Sequence, residues 1–370
     1  MPLNLRRPAA ASLSVVLAVL AGAILSGCET VRFYSQAVGG QVEILTKARP
    51  IPKVLADPQV PADIKQKLVL VQEARKYARQ ELLLPAQRQY GTYTDLGRKF
   101  VSWVLYAAPE FSVEAKTWWY PAVGRLEYRG FFSEKLARAE AKRLQAQGYE
   151  VNVGGVEAYS TLGWFRDPVL NTFFHRTDAE LAELIFHELT HARLFLPGDT
   201  DFNEAFATAN AETGVHRWLE GKGNRHSLAE YEEGLKKDRA IVHLLLDTRE
   251  TLRRLYARQD LRVEQMRAEK AKVLLAMKTR YQEIRTQWPA DSRYDRSFAR
   301  PWNNARLNTV ASYYDLVPAF ERLLRKNQGD LSAFYAEVAS LRHMSPDQRR
   351  AYLEHSAHDD RTHRGSSKPS

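Results

Sequence analysis

The residues best suited to chemistry are His187, Glu188 and His191, which form an HExxH pattern. Residues four apart lie on one face of an α-helix, so His187 and His191 can direct two imidazoles at one metal ion. Glu188 lies about 100° around the helix from His187, where it can hold a water without binding the metal. A zinc ion held in this way lowers the pKa of its water toward about 7, and the glutamate can accept the proton. The pattern predicts a hydrolytic zinc site, the alternative being an ordinary buried helix pair.

A third ligand candidate, Glu204, follows at a suitable distance along the chain. Residues 179–195 are helix-forming and apolar on one side, and the Pro-Gly pair at 197–198 then interrupts the helix. A second helix that opens near Glu204 would fold back as a hairpin and complete a set of two histidines and one glutamate, with a fourth position open for water. Glu212, two turns further on, is the alternative ligand. The sequence thus predicts one Zn²⁺ per chain.

Extended segments precede this predicted metal helix. Their aromatic and β-branched content indicates strands at 93–111, 118–130 and 149–160. The last of them contains Gly154 and Gly155, which predict the turn of a hairpin. The last strand before the metal helix, residues 158–163 with Ser160, is the candidate edge on which a peptide substrate would add as a strand. The alternative is a plain hairpin packed on the helices.

Helical periodicity elsewhere predicts an α+β fold that is mostly helical. A short helix is predicted within 31–56, and it should end at residues 49–52, where two prolines favour an extended backbone. Further helices are predicted at 61–84, 133–147, 227–287, 302–318, 331–341 and 346–354. Residues 227–287 favour a helical hairpin packed on the metal core, with a partner-binding coiled coil as the alternative. The predicted organisation is a leader (1–27), a metallopeptidase core with sheet and zinc helices (28–222), a helical region that completes the cleft (223–355) and a disordered tail (356–370).

The leader has the pattern of a bacterial lipoprotein signal peptide. Arg6 and Arg7 precede an apolar run, 9–24, and the run closes at Leu-Ser-Gly before Cys28. Cys28 is the only cysteine, so a lipid attached to it would anchor the protein and no disulfide could form. The alternative is an uncleaved membrane anchor. Either reading predicts a body that lies outside the cytoplasmic membrane and faces the periplasm. Inner and outer membrane remain undecided, because Glu29 does not match the usual aspartate retention signal.

Charge and composition suggest no nucleic-acid partner. The net charge is +10, and it falls to +8 without the two arginines of the leader. Most of this excess lies in segments where acidic and basic residues alternate, as on a solvated helix face. No stripe of basic and aromatic residues and no nucleic-acid motif is present. The sequence leaves the oligomeric state and the natural substrate open.

Several motifs together resemble a family of bacterial envelope lipoproteins described as predicted aminopeptidases. The matching stretches are 128–132, 158–168, 187–192, 203–207, 303–307 and 313–320. The resemblance implies a gluzincin-like metallopeptidase in which His187, His191 and Glu204 bind zinc and Glu188 is the catalytic base. Two features depart from that pattern. The spacing from His191 to Glu204 is shorter than in the best-known gluzincins, and Thr208 stands where some carry an acidic partner for a ligand histidine.

Hydrolysis also needs a donor to the oxyanion of the tetrahedral intermediate, often a tyrosine or histidine. We predict Tyr313 for this role, with Tyr314 as the second choice, and Asn304 and Arg306 as contacts to the substrate backbone. The overall prediction is a zinc peptidase, aminopeptidase-like, that hydrolyses peptides in the cell envelope. Two alternatives stay open: an envelope scaffold with a structural metal site, and an endopeptidase or amidase that acts on peptidoglycan peptides.

Overall fold

The computed structural model describes residues 28–120, 124–158, 166–288, 294–314 and 316–355, with the backbone alone at 28–31 and 310–314. These residues form thirteen α-helices and eight short strands, so the mostly helical α+β fold is confirmed. No helix among them has the length and apolar character needed to cross a bilayer.

The helices are α1 Cys28–Thr46, α2 Ile51–Ala56, α3 Ala62–Gln80, α4 Glu134–Ala146, α5 Asp178–Arg193, α6 Thr200–Gly221, α7 Arg225–Tyr256, α8 Val263–Arg285, α9 Asp295–Phe298, α10 Asn304–Tyr314, α11 Val317–Lys326, α12 Leu331–Ser340 and α13 Pro346–His355. The strands are β1 Arg49–Pro50, β2 Thr92–Thr94, β3 Ser102–Pro109, β4 Trp118–Tyr120, β5 Gly124–Leu126, β6 Arg129–Phe131, β7 Tyr149–Val156 and β8 Val169–Leu170.

The hairpin of α5 and α6 carries the HExxH residues and lies within the largest apolar core. Helix α5 begins at a capping box, in which Thr177 and Glu180 each accept a hydrogen bond from the other's backbone N–H. The two helices approach closely at Gly214, where an added Cβ would lie 2.9 Å from the Phe186 ring and 2.7 Å from Leu82. Glycine at this position is therefore a packing requirement of the hairpin.

The main sheet has the strand order β6–β3–β7, and all its pairs are antiparallel. Side chains alternate across β3. Leu105 and Ala107 pack toward α4, whereas Tyr106 and Ala108 pack with Ala305 of α10. Helix α10 contacts both β3 and α6, so it links the sheet to the metal helices.

The prediction of a hairpin at residues 149–160 is wrong for the part that the structure describes, which ends at residue 158. Strand β7 runs without a turn through Gly154 and Gly155 and pairs with β3 along its whole length. An added Cβ at Gly155 would come within 2.4 Å of the Phe100 ring. This glycine therefore serves side-chain packing and not a turn. The rest of the predicted edge, including Ser160, lies outside the described residues.

Two predicted boundaries in the first hundred residues also shift. Residues 49–52 are extended only to Pro50, because α2 starts at Ile51 with a proline in its first turn, where the missing N–H costs nothing. Helix α3 ends at Gln80 and not at residue 84, and Leu83 takes a left-handed conformation with φ 54°. The predicted helical hairpin at 227–287 is confirmed as α7 and α8, which pack on each other and enclose a second apolar core.

The short loop between α5 and α6 is fixed by one buried side chain, Asn203. Its Nδ2 donates to the Leu196 carbonyl at 2.7 Å, and its Oδ1 accepts from the Leu196 N–H at 2.8 Å. Arg349 of α13 adds an ion pair to Asp199, the N-cap of α6, at 2.7 Å. These contacts set where α6 begins and therefore where Glu204 lies.

We expect Asn203→Ala to lower the free energy of unfolding by roughly 2–4 kcal/mol, because two buried backbone groups of Leu196 lose their partner. Chemical denaturation measures this change. Asn224→Ala is the matched control, since it removes only an exposed cap of α7 and should cost about 1 kcal/mol. Equal losses for the two variants would contradict the role assigned to Asn203.

Candidate metal centre

Three side chains of the α5–α6 hairpin converge at one point. His187 Nε2 lies 3.2 Å and His191 Nε2 lies 3.7 Å from Glu204 Oε2, and the two imidazole nitrogens are 3.1 Å apart. Their rings meet edge to face. Across the described ranges, no other group of three histidine, cysteine, aspartate or glutamate side chains comes together in a way that could hold a metal ion.

These distances fit a tetrahedral zinc site. Ligand atoms about 2.1 Å from zinc lie roughly 3.4 Å from one another at the corners of a tetrahedron. The three observed separations, 3.1, 3.2 and 3.7 Å, fall on both sides of that value. Two imidazole nitrogens and one carboxylate oxygen are also a donor set that zinc accepts. The residues therefore have the geometry and the chemistry to hold the ion.

Glu204 stays ionised in this site although it is buried. Burial by itself would raise the pKa of its carboxyl, but hydrogen bonds and the positive charge of His187 and His191 outweigh burial and hold the pKa well below its usual value. For His191, burial opposes protonation, but hydrogen bonding to Glu204 and the charges of Glu204 and Glu188 raise the pKa of the imidazole overall. Glu204 thus offers an ionised carboxylate to a cation, and a metal ion would compete with a proton for His191.

The outer ring nitrogen of His191 departs from the usual environment of a metal-binding histidine. Its Nδ1 is buried and has no hydrogen-bond partner among the residues that the structure describes. Ligand histidines usually donate this N–H to a carboxylate or a carbonyl. The acidic partner that the sequence lacks at Thr208 is not replaced by another described side chain.

Glu188 is half-buried, and its carboxylate makes no hydrogen bond or ion pair with any residue in the described ranges. The negative charge of Glu188 contributes to the raised pKa values of His191 and Tyr90, so its carboxylate is close enough to interact with both side chains. The Glu188 carboxylate is therefore not engaged in a structural contact, and it adjoins the three residues that could bind a metal ion.

Two tyrosines that the sequence did not single out lie near the site. Burial is the main cause that raises the pKa of Tyr90, and the charge of Glu188 adds to it. Burial is also the main cause for Tyr106, followed by its interactions with Tyr128 and Glu204. Both phenols therefore stay protonated and can donate. They come from a turn and a strand more than eighty residues before the motif, so no local pattern marks them.

Tyr90 is held in an uncommon backbone conformation. Its φ is 56°, a left-handed value that is unusual for a bulky residue. The Tyr90 N–H donates to the Asp167 carbonyl at 2.7 Å, and its carbonyl accepts from Gln72 at 3.2 Å. The Asp167 N–H in turn donates to Gln89 at 2.6 Å. These bonds fix the backbone at Tyr90, and its phenol lies close enough to Glu188 for that charge to raise the phenol pKa.

Asn304, predicted to contact substrate, is fully buried and makes structural hydrogen bonds. Its Nδ2 donates to the carbonyls of Pro109 and Glu110 at 3.0 and 2.9 Å, and its Oδ1 accepts from Tyr256 at 2.9 Å. Each polar atom of this side chain is thereby engaged. The contacts join α10 to the end of β3 and to α7.

Arg306 is likewise engaged within the fold. Its guanidinium donates to the carbonyls of Arg300, Pro301 and Ser297 and stacks 3.9 Å from the Trp302 ring centre. Burial lowers its pKa to about 10. These contacts tie Arg306, in the first turn of α10, to the segment before that helix and give no support to a substrate contact. Of the other predicted residues, Ser160 and the side chains of Tyr313 and Cys28 lie outside what the structure describes.

Glu212, the alternative ligand, lies apart from the three converging side chains. Its carboxylate accepts from Arg239 of α7 at 2.7 Å, and the same guanidinium nitrogen also contacts Glu321 of α11 at 2.7 Å. Burial is the main cause that raises the pKa of Glu212 to about 7. Glu212 therefore ties α6 to α7 and α11, and Glu204 is the carboxylate that meets the histidines.

Comparison with models of protein families gives a match that covers most of the chain. The family model described as "putative aminopeptidase" matches residues 32–353, which span the sheet, the α5–α6 hairpin and the helices that follow. No curated protein and no solved structure matches the chain. Because the family model covers most of the sequence, the chain belongs to this aminopeptidase family, and a peptidase-like function is supported.

Proposed function

We propose that this protein is a zinc-dependent peptidase of the aminopeptidase type. The convergence of His187, His191 and Glu204 at tetrahedral spacing, beside the unpartnered carboxylate of Glu188, carries the proposal. Membership of an aminopeptidase family supports peptide bonds as the substrate. We further propose that lipid on Cys28 holds the enzyme in the bacterial envelope, where it faces the periplasm.

His187, His191 and Glu204 would hold the metal ion. A bound zinc would supply Lewis acidity, which activates water and polarises the scissile carbonyl. Glu188 takes a proton from the attacking water as the C–O bond forms, and it delivers that proton to the amine nitrogen as the C–N bond breaks. Its freedom from structural hydrogen bonds suits a group that must change its protonation state twice in one turnover.

The oxyanion of the tetrahedral intermediate needs a donor from the protein. Tyr106 suits this role, because its phenol is protonated and its side of β3 faces α10, next to the helix that carries Glu204. Tyr313, proposed from the sequence, is the alternative donor, and substitution of each distinguishes them.

A catalytic site is favoured over a structural one by the number of ligands. Structural zinc sites are closed by four protein ligands, whereas catalytic sites keep one position open. Within the described ranges, no fourth histidine, cysteine, aspartate or glutamate joins the three converging side chains. The scaffold alternative would require such a ligand.

Metal content tests the site directly. We expect about one zinc per chain in purified wild-type protein and in Glu188→Gln, and a large loss in His191→Ala and Glu204→Ala, because those two lose a ligand. Elemental mass spectrometry measures the zinc. His216→Ala is the matched control, since this histidine of α6 pairs with Glu232 at the surface and should leave the metal in place. Wild-type protein that binds no zinc after reconstitution would refute the proposal.

Loss of the base should abolish turnover without loss of metal. For Glu188→Gln we expect a kcat lower by about 10²–10⁴-fold on amino-acid p-nitroanilides, the range for removal of a general base. N-acetylated versions of the same substrates test the aminopeptidase type, because an aminopeptidase requires a free amine. Equal cleavage of acetylated and free substrates would favour the endopeptidase or amidase alternative.

Substitution of the two tyrosines identifies the oxyanion donor. We expect Tyr106→Phe to lower kcat by about 10²-fold or more, with little change in KM, because the donor acts mainly in the transition state. Tyr34→Phe, on the exposed face of α1, is the control and should retain full activity. If Tyr313→Phe causes the loss and Tyr106→Phe does not, the donor lies on α10.

A further inference from the structure

The first helix presents an exposed apolar stripe, formed by Tyr34, Val38 and Val42. Their side chains are 43, 62 and 51% exposed. Because they are four residues apart, they follow one face of α1 over about 12 Å. The charged residues Arg32 and Glu43 lie roughly 120° and 140° around the helix from the centre of this stripe. The exposed face is therefore apolar without interruption by charge.

Helix α1 is itself firmly packed, so the exposure of the stripe is not caused by a detached helix. Ile44 is buried in the main core, and the Phe33 ring meets Phe131 edge to face at 5.4 Å. The backbone at Gly40 lies so close to Phe132 that a Cβ would overlap its ring. One face of α1 is fixed on the body of the protein, and the opposite face carries the stripe.

A further exposed apolar residue, Trp119, lies on an element that contacts α1. Trp119 of β4 is 67% exposed and pairs across the hairpin with Arg125 of β5. Its neighbour Tyr120 approaches the Phe33 ring of α1 at 6.2 Å. Of the eight large apolar side chains that are exposed in the described ranges, four belong to the stripe or to β4. Exposed apolar surface is thus concentrated around the start of the chain's folded body.

The sequence before α1 indicates what covers this surface. The apolar run 9–24 ends four residues before Cys28, and Cys28 is the first residue of α1. The chain would meet the bilayer at Cys28 in either case, through a lipid attached to this residue or through the uncleaved apolar run 9–24. Tyr34 follows six residues later, about 9 Å along the helix. Tryptophan, tyrosine and arginine side chains also suit the headgroup region, where an apolar body and a polar tip are both accommodated.

We propose that the stripe of α1 and Trp119 rest on the bilayer surface, with Arg125 toward the lipid phosphates. This inference rests on the membrane attachment proposed above. The contact would give the enzyme a fixed orientation, which attachment at one residue alone does not provide, because an interfacial helix lies with its apolar face in the headgroup and acyl boundary. The active site would then be held at a constant height and direction relative to the membrane.

Spin labels on the full-length protein in vesicles of phosphatidylethanolamine and phosphatidylglycerol test the orientation. Val38→Cys places a nitroxide on the stripe, and Leu275→Cys places one at an exposed apolar position of α8, remote from α1 in sequence, as the matched control. We expect the ratio of oxygen to nickel-chelate collisions to be several-fold higher at residue 38 than at residue 275. Val42→Glu should reduce that ratio at residue 38 and leave peptidase activity unchanged.

The other outcomes are equally informative. A label at residue 38 with the same ratio as residue 275 would overturn the bilayer contact. Protection of residue 38 from both reagents would also overturn it, because a second protein surface would then cover the stripe. Mass spectrometry of Cys28 in the same preparation reports lipid attachment separately. Failure of that attachment, or of peptidase activity, is thereby distinguished from failure of the surface contact.

Discussion

The site depends on one constraint, the close antiparallel return of α6 along α5. Only this return brings a carboxylate from one helix to two imidazoles of the other. It needs a gap at Gly214, where any side chain would meet Phe186, and a loop held at a fixed length by Asn203. Close packing transmits small displacements, so a shift of the loop would move Glu204 relative to both histidines.

Burial sets the electrostatics of this hairpin and divides its acids into two kinds. Glu204 is surrounded by donors and stays ionised, whereas Glu183 and Glu212 share a region where burial raises each pKa to about 7. Arg239 offsets part of the cost for Glu212 by its ion pair. The same two helices therefore hold one ionised carboxylate that suits a cation and two further carboxyl groups whose pKa lies near 7.

The sheet is joined to the metal helices through one face of β3. Tyr106 and Ala108 pack against α10, and α10 in turn contacts α6, so the strand and the metal helices form one continuous structure. Asn304 strengthens this connection by bonding to the carbonyls at the end of β3. Burial of Asn304 and its full set of hydrogen bonds account for a polar residue at the start of α10.

The sequence by itself determined the features that depend on short range. The spacing of His187 and His191, the helix-forming run 179–195 and the Pro-Gly interruption all act within a few residues, so helix periodicity and turn chemistry were enough to predict the hairpin. The convergence on Glu204 was predictable for the same reason, since only a short loop separates the two helices.

Tertiary structure decided the features that join distant parts of the chain. Gly154 and Gly155 resemble a turn locally, but the packing of Phe100 and the pairing with β3 make them part of one strand. Tyr90 and Tyr106 reach the site only because a turn and a strand fold back over the helices. A pattern read along the chain cannot contain such contacts, because they depend on which surfaces pack together after the elements have formed.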